Sequence, residues 1–299
     1  MLVFSDLDRS VIYSKRFIAE GKDGIVDENY LNIEMYEGKE ISFISKITID
    51  YIRQIGKLGY FVPTTTRTVE QFKRIDFSRF GINFPWAITT NGGIVLENGE
   101  ESQEWKEIVR KNLKESESIE NVVEEFKKLN FTIGETQKNS VAKGNFKTSK
   151  IKGIAKRNHG CDIGIKKFRI AEDKFFYLVV DPDEFDIQRM SGFIKILPTL
   201  GWKYYVNGRK VYFTPEKLTK EKAIEFVSDK IGISEHNAIG DSIMDFGMLG
   251  TGSNSYILRH GDIENMDEVL KKKARISENF GIHGTEEILS SILEEYFKR

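Results

Sequence analysis

The stretch Leu2-Val3-Phe4-Ser5-Asp6-Leu7-Asp8-Arg9-Ser10 decides how this chain is read. Its apolar opening predicts a short buried strand that ends at two aspartates. Residues two apart on a strand face the same way, so Asp6 and Asp8 would enter one pocket at the strand's C-terminal end. Two carboxylates forced together need a cation, or one must keep its proton. Such a pair suits magnesium-assisted phosphoryl transfer, with one aspartate attacking phosphorus and the other handling the leaving-group proton. Alone, it suits a turn cap equally well.

Three further segments lie at the carboxyl ends of predicted strands, where open α/β sheets place their ligands. Phe61-Val62-Pro63-Thr64-Thr65-Thr66-Arg67-Thr68 puts a hydroxyl cluster at the start of a helix, whose free N–H groups favour phosphate. Its bland reading is capping by Thr68. Thr214-Pro215-Glu216-Lys217-Leu218-Thr219-Lys220 sets a lysine at a helix start, against the dipole, which makes sense if the ammonium faces phosphate and carboxylates. Ala238-Ile239-Gly240-Asp241-Ser242-Ile243-Met244-Asp245 ends a buried strand in Gly-Asp and returns a second acid four residues on. A hard cation prefers a few carboxylates with water and substrate phosphate. Each segment has an ordinary structural reading; four in this order are a poor coincidence.

Outside these segments, residues 1–90 alternate strand and helix, which argues for a parallel sheet covered on both faces. Leu31–Phe43 reads as a hairpin around Glu37-Gly38-Lys39. Ile44–Lys57 has helical spacing, with Ile44, Ile47, Tyr51, Ile52 and Ile55 on one side. Val69–Phe80 is a helix candidate. The pattern changes after Asn91-Gly92-Gly93, where Glu104–Leu129 reads as one long charged helix. Strands at Cys161–Ile165 and Phe175–Val180 and a helical stretch Glu184–Leu200 follow. The strand–helix alternation then resumes. The expected fold is α/β: a Rossmann-like doubly wound parallel core of residues 1–96 and 206–299, with an α+β cap of residues 97–205 inserted into it.

A length of 299 residues suits two domains. The formal net charge of -1 gives no sign of a nucleic-acid partner. A single cysteine, Cys161, excludes a disulfide framework and a cysteine zinc site. No segment has the length of a membrane span, and the apolar stretch before Asp6 is too short for a signal peptide. A cytoplasmic protein is expected. Residues 138–174 carry eleven Lys or Arg against three acids, an excess that suits either a solvated face or an anion-attracting one through Lys143, Lys147, Lys166, Lys167 and Arg169. The histidines His159, His236, His260 and His283 show no metal spacing and read as structural, and Phe175, Phe176 and Tyr177 read as strand core.

In its four segments the chain resembles the haloacid dehalogenase superfamily of phosphatases. Their motifs are an Asp-x-Asp pair, a Thr or Ser, a Lys and a Gly-Asp-x-x-x-Asp. The large insertion and Thr89-Thr90-Asn91-Gly92-Gly93 resemble subclass IIB, and Val62–Thr68 is most similar to mannosylphosphoglycerate phosphatases, with sucrose-phosphate and Cof-type phosphatases as relatives. The resemblance implies a Mg²⁺-dependent phosphomonoester hydrolase acting on a small phosphorylated metabolite. Asp6 would be the nucleophile and Asp8 the acid and base. Thr65 would bind phosphate, with Thr64 and Thr66 as alternatives. Lys220, preferred over Lys217 and Lys222, would neutralise the attacking carboxylate. Mg²⁺ would be held by Asp6, Asp241 and the backbone carbonyl of Asp8, with Asp245 supporting the metal shell or orienting the lysine. Arg67 and Asn91 would reach substrate. A phosphosugar mutase, or a retired fold that only binds a ligand or partner, are the competing implications. Two departures stand out: Arg9 replaces the glycine that commonly follows the Asp pair, and Met244 replaces an asparagine before the last Asp.

Overall fold

The computed structural model describes residues 1–20, 29–136 and 162–298. Lys143, Lys147, His159 and Cys161 lie outside them. The chain divides into two compact units, Met1–Lys106 with Thr219–Arg299, and Glu107–Leu218. These boundaries fall later than residues 97 and 205. Strand Lys210–Pro215 belongs to the second unit's sheet, so the return to the first unit comes after it.

The first unit is built on five parallel strands in the order Ala274–Ile276, Asn254–Ile257, Asn237–Gly240, Leu2–Ser5 and Tyr60–Pro63. A single parallel bridge from Thr64 to Ile88 continues the sheet toward strand Trp86–Thr89. Leu2–Ser5 is buried throughout because it is central and covered on both faces. From it the chain runs through helix Lys46–Leu58 to Tyr60–Pro63 on one side; after the second unit it re-enters through helix Lys220–Ile231 to Asn237–Gly240 on the other side of Leu2–Ser5. Right-handed crossovers in opposite directions put their helices on opposite faces. Leu2–Ser5 and Asn237–Gly240 therefore flank the switch point, where α/β sheets open a crevice at their carboxyl edge.

Val3, Phe61, Ile239 and Tyr256 pack in one core cluster with Ile49, Ile52 and Ile55 and with Ile288, Leu289 and Ile292 of helix Gly281–Phe297. The buried face of helix Lys46–Leu58 is thus Thr48, Ile49, Ile52 and Ile55. Ile47 is about half exposed, because Ser45 ends the preceding strand and caps the helix through the N–H of Thr48, which sets the helical phase. The Tyr30–Tyr36 and Lys39–Ser45 hairpin forms, with Glu37 and Gly38 both at positive φ in its tight turn. Val69–Phe80 is shorter than expected: helix covers Val69–Lys73, and a 3₁₀ turn covers Ser78–Phe80.

The second unit carries a five-stranded sheet in the order Trp202–Asn207, Lys210–Pro215, Phe175–Val180, Ile165–Ala171 and Glu135–Thr136. Its core is aromatic, with Phe126, Phe168, Phe176, Phe193, Trp202 and Phe213 in one cluster. Phe175 and Phe176 are both fully buried. The long charged helix is in fact broken: Gln103–Asn112 ends in a 3₁₀ turn, and Ile119–Lys127 restarts where Ser118 accepts from the N–H of Asn121. Glu184–Leu200 likewise forms a short helix, Ser191–Ile196, between two 3₁₀ turns.

Candidate active site

The site lies at the carboxyl edge of the parallel sheet. Asp6 follows strand Leu2–Ser5 directly, and its N–H donates to the carbonyl of Ile239, which ties it to the neighbouring strand. Asp241 leaves that strand one residue after Gly240. Lys220 is the first residue of helix Lys220–Ile231 and is 1% exposed. Its ammonium donates to Asp6 Oδ1 at 2.9 Å and to Asp245 Oδ1 at 2.6 Å. The ligand atoms of Asp6, Asp241 and Asp245 lie within 4.8 Å of one another, and all three residues are buried.

Asp245 is held by the protein on both oxygens. While Oδ1 takes Lys220, Oδ2 accepts from the N–H of Asp241, the N–H of Ser242 and the hydroxyl of Ser242. Lys220 and the Asp241–Ser242 turn thus take both oxygens of Asp245. Asp262 supports the same turn, its Oδ2 accepting from the N–H of Ile243 at 3.0 Å.

Burial pushes the Asp6 carboxyl up to about 7; the charge of Lys220 opposes this, and that of Asp245 adds to it. Burial likewise raises Asp241 well above the carboxylate range, reinforced by Asp245 and Asp6. Burial works against the charge on Lys220, yet Asp245 and Asp6 outweigh it and hold the ammonium protonated. Three carboxylates around one ammonium leave excess negative charge in a desolvated place. An all-oxygen acidic donor set of this kind suits a hard divalent cation.

Asp8 stands apart from this acid cluster. Its side chain, 48% exposed, receives a two-pronged ion pair from Arg67, Nε to Oδ2 at 2.7 Å and Nη2 to Oδ1 at 2.8 Å. The strand ends at Ser5, so the alternation that would have aligned Asp8 with Asp6 does not extend to it. The carboxylate of Asp8 is therefore turned to Arg67 and lies outside the group of Asp6, Asp241 and Asp245. Arg67, expected to reach substrate, is turned instead to Asp8 and to Glu34, which accepts from Arg67 Nη1 and Nη2 at 2.9 and 3.0 Å. Glu34 is fully buried and also accepts from Arg74 and from the hydroxyl of Ser42.

The three threonines differ. Thr64 donates its hydroxyl to the carbonyl of Val62. Thr65, fully buried, accepts from the N–H of Arg67 and so keeps its own proton to donate. Thr66 is partly exposed. Thr68 caps helix Val69–Lys73 in a capping box with Gln71, the bland role allowed for it. Asn91 has left-handed backbone, and its N–H donates to the carbonyl of Thr65. Gly92 at φ +86 lies against the start of the lysine helix: a Cβ there would sit 2.1 Å from the carbonyl oxygen of Thr219. The Asn91–Gly93 turn thus braces both Thr65 and Lys220.

Neither Glu34 nor Asp262 stands in a motif of the sequence, and His260 was expected to be structural. His260 accepts at Nδ1 from the N–H of Gly281, so Nε2 carries the proton and donates to the carbonyl of Arg9 at 2.8 Å. Burial, with help from the charge of Arg9, lowers its pKa to about 4. Among the described residues no helix is long and apolar enough to cross a membrane.

A parallel sheet with a buried acid–lysine cluster at its switch point defines an α/β protein that binds ligands at its carboxyl edge. Residues 37–276 match the family model of haloacid dehalogenase-like hydrolases, and the chain belongs to that family. The matched range includes Thr65, Lys220, Asp241 and Asp245. Solved structures agree on the fold. A sucrose-phosphatase from Synechocystis sp., in complex with sucrose and phosphate, aligns at TM-score 0.62 and 12% identity, over 98% of this chain and 97% of the other. A HAD/COF-like hydrolase from Plasmodium vivax aligns at 0.56 and 14% identity, over 98% and 96%. A phosphatase of the same superfamily from Bacteroides thetaiotaomicron aligns at 0.54 and 14% identity, over 98% and 95%. A sequence comparison with curated proteins gives no match.

Proposed function

We propose that the protein is a Mg²⁺-dependent phosphomonoester hydrolase acting on a small phosphorylated metabolite, with Asp6 as nucleophile. The observation that carries this reading is the buried contact of Lys220 with Asp6 and Asp245 beside Asp241 at the switch point. The sucrose and phosphate bound by the Synechocystis relative support a sugar phosphate as substrate class.

Asp6 attacks phosphorus, forming the Asp6 O–P bond as the bond to the leaving alcohol oxygen breaks. Asp8 delivers a proton to that oxygen, then takes one from the water that attacks the acyl phosphate, which frees inorganic phosphate and restores Asp6. Lys220 holds the attacking carboxylate in place and offsets charge on the phosphoryl oxygens. Thr65 donates its remaining hydroxyl proton to one of those oxygens. Arg67, fixed by Glu34, orients Asp8 rather than binding substrate. Asp6 and Asp241 would hold Mg²⁺, which would supply charge neutralisation and alignment for the transferring group. The unit Glu107–Leu218 serves as the cap that selects the alcohol portion.

Phosphate release across a panel of phosphorylated sugars and polyols, with and without Mg²⁺, tests the reading. Asp6→Asn is expected to lose at least about a thousandfold in kcat. Equal turnover by the variant and the parent would sink the proposal. Turnover that requires a bisphosphate activator and releases no net phosphate would replace it with a mutase.

A further inference from the structure

Arg9 occupies the position where the resembling family commonly has glycine, and its backbone shows the strain: φ is +64°, in the left-handed region that favours glycine. Its main chain is fixed on both sides, the N–H donating to the carbonyl of Ile12 and the carbonyl accepting from His260. Its guanidinium is fixed as well. Nη2 donates to the carbonyl of His260 at 3.1 Å, and the guanidinium carbon lies 5.1 Å from the centre of the Phe17 ring. Held this way, Nε points at Asp241 Oδ2 from 3.4 Å, buried and without a hydrogen-bond partner. That distance gives charge attraction without a formed hydrogen bond. The arginine side chain is 39% exposed while that of Asp241 is 5% exposed, so the cation reaches a buried carboxylate from the solvent side.

We infer that Arg9 is a tethered cation that competes with the divalent ion for Asp241 and thereby weakens metal binding. The inference rests on the reading of Asp6 and Asp241 as cation ligands. Asp6, Asp241 and Asp245, when ionised, carry three negative charges, and Lys220 offsets one. Arg9 offsets a second, so an entering divalent cation meets roughly half the attraction it would meet without it. Leaving Asp241 costs the arginine little, because its contacts with His260 and Phe17 do not depend on the carboxylate.

Calorimetric titration of Mg²⁺ into the intact protein, at fixed ionic strength and without substrate, tests this. Arg9→Gln removes the charge and keeps the strained backbone, while Arg9→Gly removes both. Each is expected to lower the Kd for Mg²⁺ on the order of tenfold or more. Arg9→Lys keeps the charge and is expected to stay within about threefold of the parent. Should Arg9→Gln fold poorly by circular dichroism, the contrast between Arg9→Gly and Arg9→Lys carries the comparison. Equal Kd values across the series overturn the competition. Tightening in the glycine variant alone overturns it too, and assigns the effect to backbone strain. A lysine variant that tightens as much as the glutamine one removes charge as the cause. Asp241→Asn separates the two readings: if it binds Mg²⁺ as the parent does, the assignment of Asp241 as a ligand fails. If no form binds Mg²⁺, both readings fall. Binding seen only after Arg9 is removed supports the competition most strongly.

Discussion

Replacing Glu34 tests the link between the hairpin and Asp8. Its carboxylate has no solvent exposure and takes both Nη nitrogens of Arg67, Nε and Nη2 of Arg74, and the hydroxyl of Ser42. Glu34→Gln keeps the shape, removes the charge and turns an N–H₂ toward two guanidiniums. Breaking one side of a buried ion pair costs about 3–5 kcal/mol. Arg67 keeps Asp8 and Arg74 is partly exposed, so the lower end, about 3 kcal/mol, is expected. For a unit of this size that lowers Tm by about 6–12 °C. Burial opposes ionisation of Glu34, but the hydrogen bonds and charge of Arg67 outweigh it and hold the carboxyl below its ordinary 4.5. A depressed folded pKa gives stability that is full above the unfolded value and is lost as pH falls through the folded one. The deficit of Glu34→Gln relative to the parent is therefore largest above about pH 4.5 and shrinks on acidification below it. Arg67 keeps Asp8 in the same variant but is itself less firmly anchored, so on the proposed role of Asp8 kcat falls while KM for substrate changes little. Urea and thermal unfolding between pH 4 and 7, with steady-state kinetics at pH 7, give all three readouts. A Tm within about 2 °C of the parent at pH 7, or a deficit that grows on acidification, refutes the reasoning.

Gly92→Ala places a Cβ 2.1 Å from the Thr219 carbonyl at a backbone φ of +86, so the start of the lysine helix must move; a stability loss of about 2 kcal/mol or more with a fall in kcat is expected, checked by thermal unfolding and assay. His260 is neutral in the fold with its pKa lowered to about 4 from 6.5, so its contribution of about 3 kcal/mol is present above about pH 6.5 and is lost as pH falls toward 4. Urea unfolding of the parent and His260→Asn should therefore converge on acidification through that window, and a constant difference would contradict it.

The features legible in the sequence are those that sit at the ends of local elements. Asp6, Lys220 and Asp241 each mark a boundary where an apolar run stops or a helix begins, and no distant residue is needed to place them there. Arg67 and Asp8 were legible as residues but not as a pair. The family resemblance implied that Arg67 reaches substrate. Its actual direction is set by Glu34, a residue from the hairpin. Glu34 was hidden for a specific reason. The pairing of Tyr30–Tyr36 with Lys39–Ser45 shifts register between Asn32 and Glu34, so Ile33 and Glu34 are both buried. A bulge of this kind breaks the period of two on which the alternation reading depends. An acid that strict alternation would turn outward is thereby buried, and only the two arginines that meet it make that tolerable.

Arg9 was visible only as an oddity for the same physical reason. Its left-handed backbone follows from the loop it occupies, but its target is chosen by His260 and Phe17, which come from two separate parts of the chain. A glycine there would meet the backbone requirement at no steric cost. The fold instead accepts a strained arginine held by four contacts and aimed at a buried carboxylate. Strain of this sort persists only where the surroundings over-determine it. With Lys220 already shared by Asp6 and Asp245, Asp241 is the acid of the cluster left without that lysine, and Arg9 is the side chain that meets it. Among the described residues the three-acid cluster is therefore met by two cations of different kinds, Lys220 buried between Asp6 and Asp245 and Arg9 partly exposed beside Asp241.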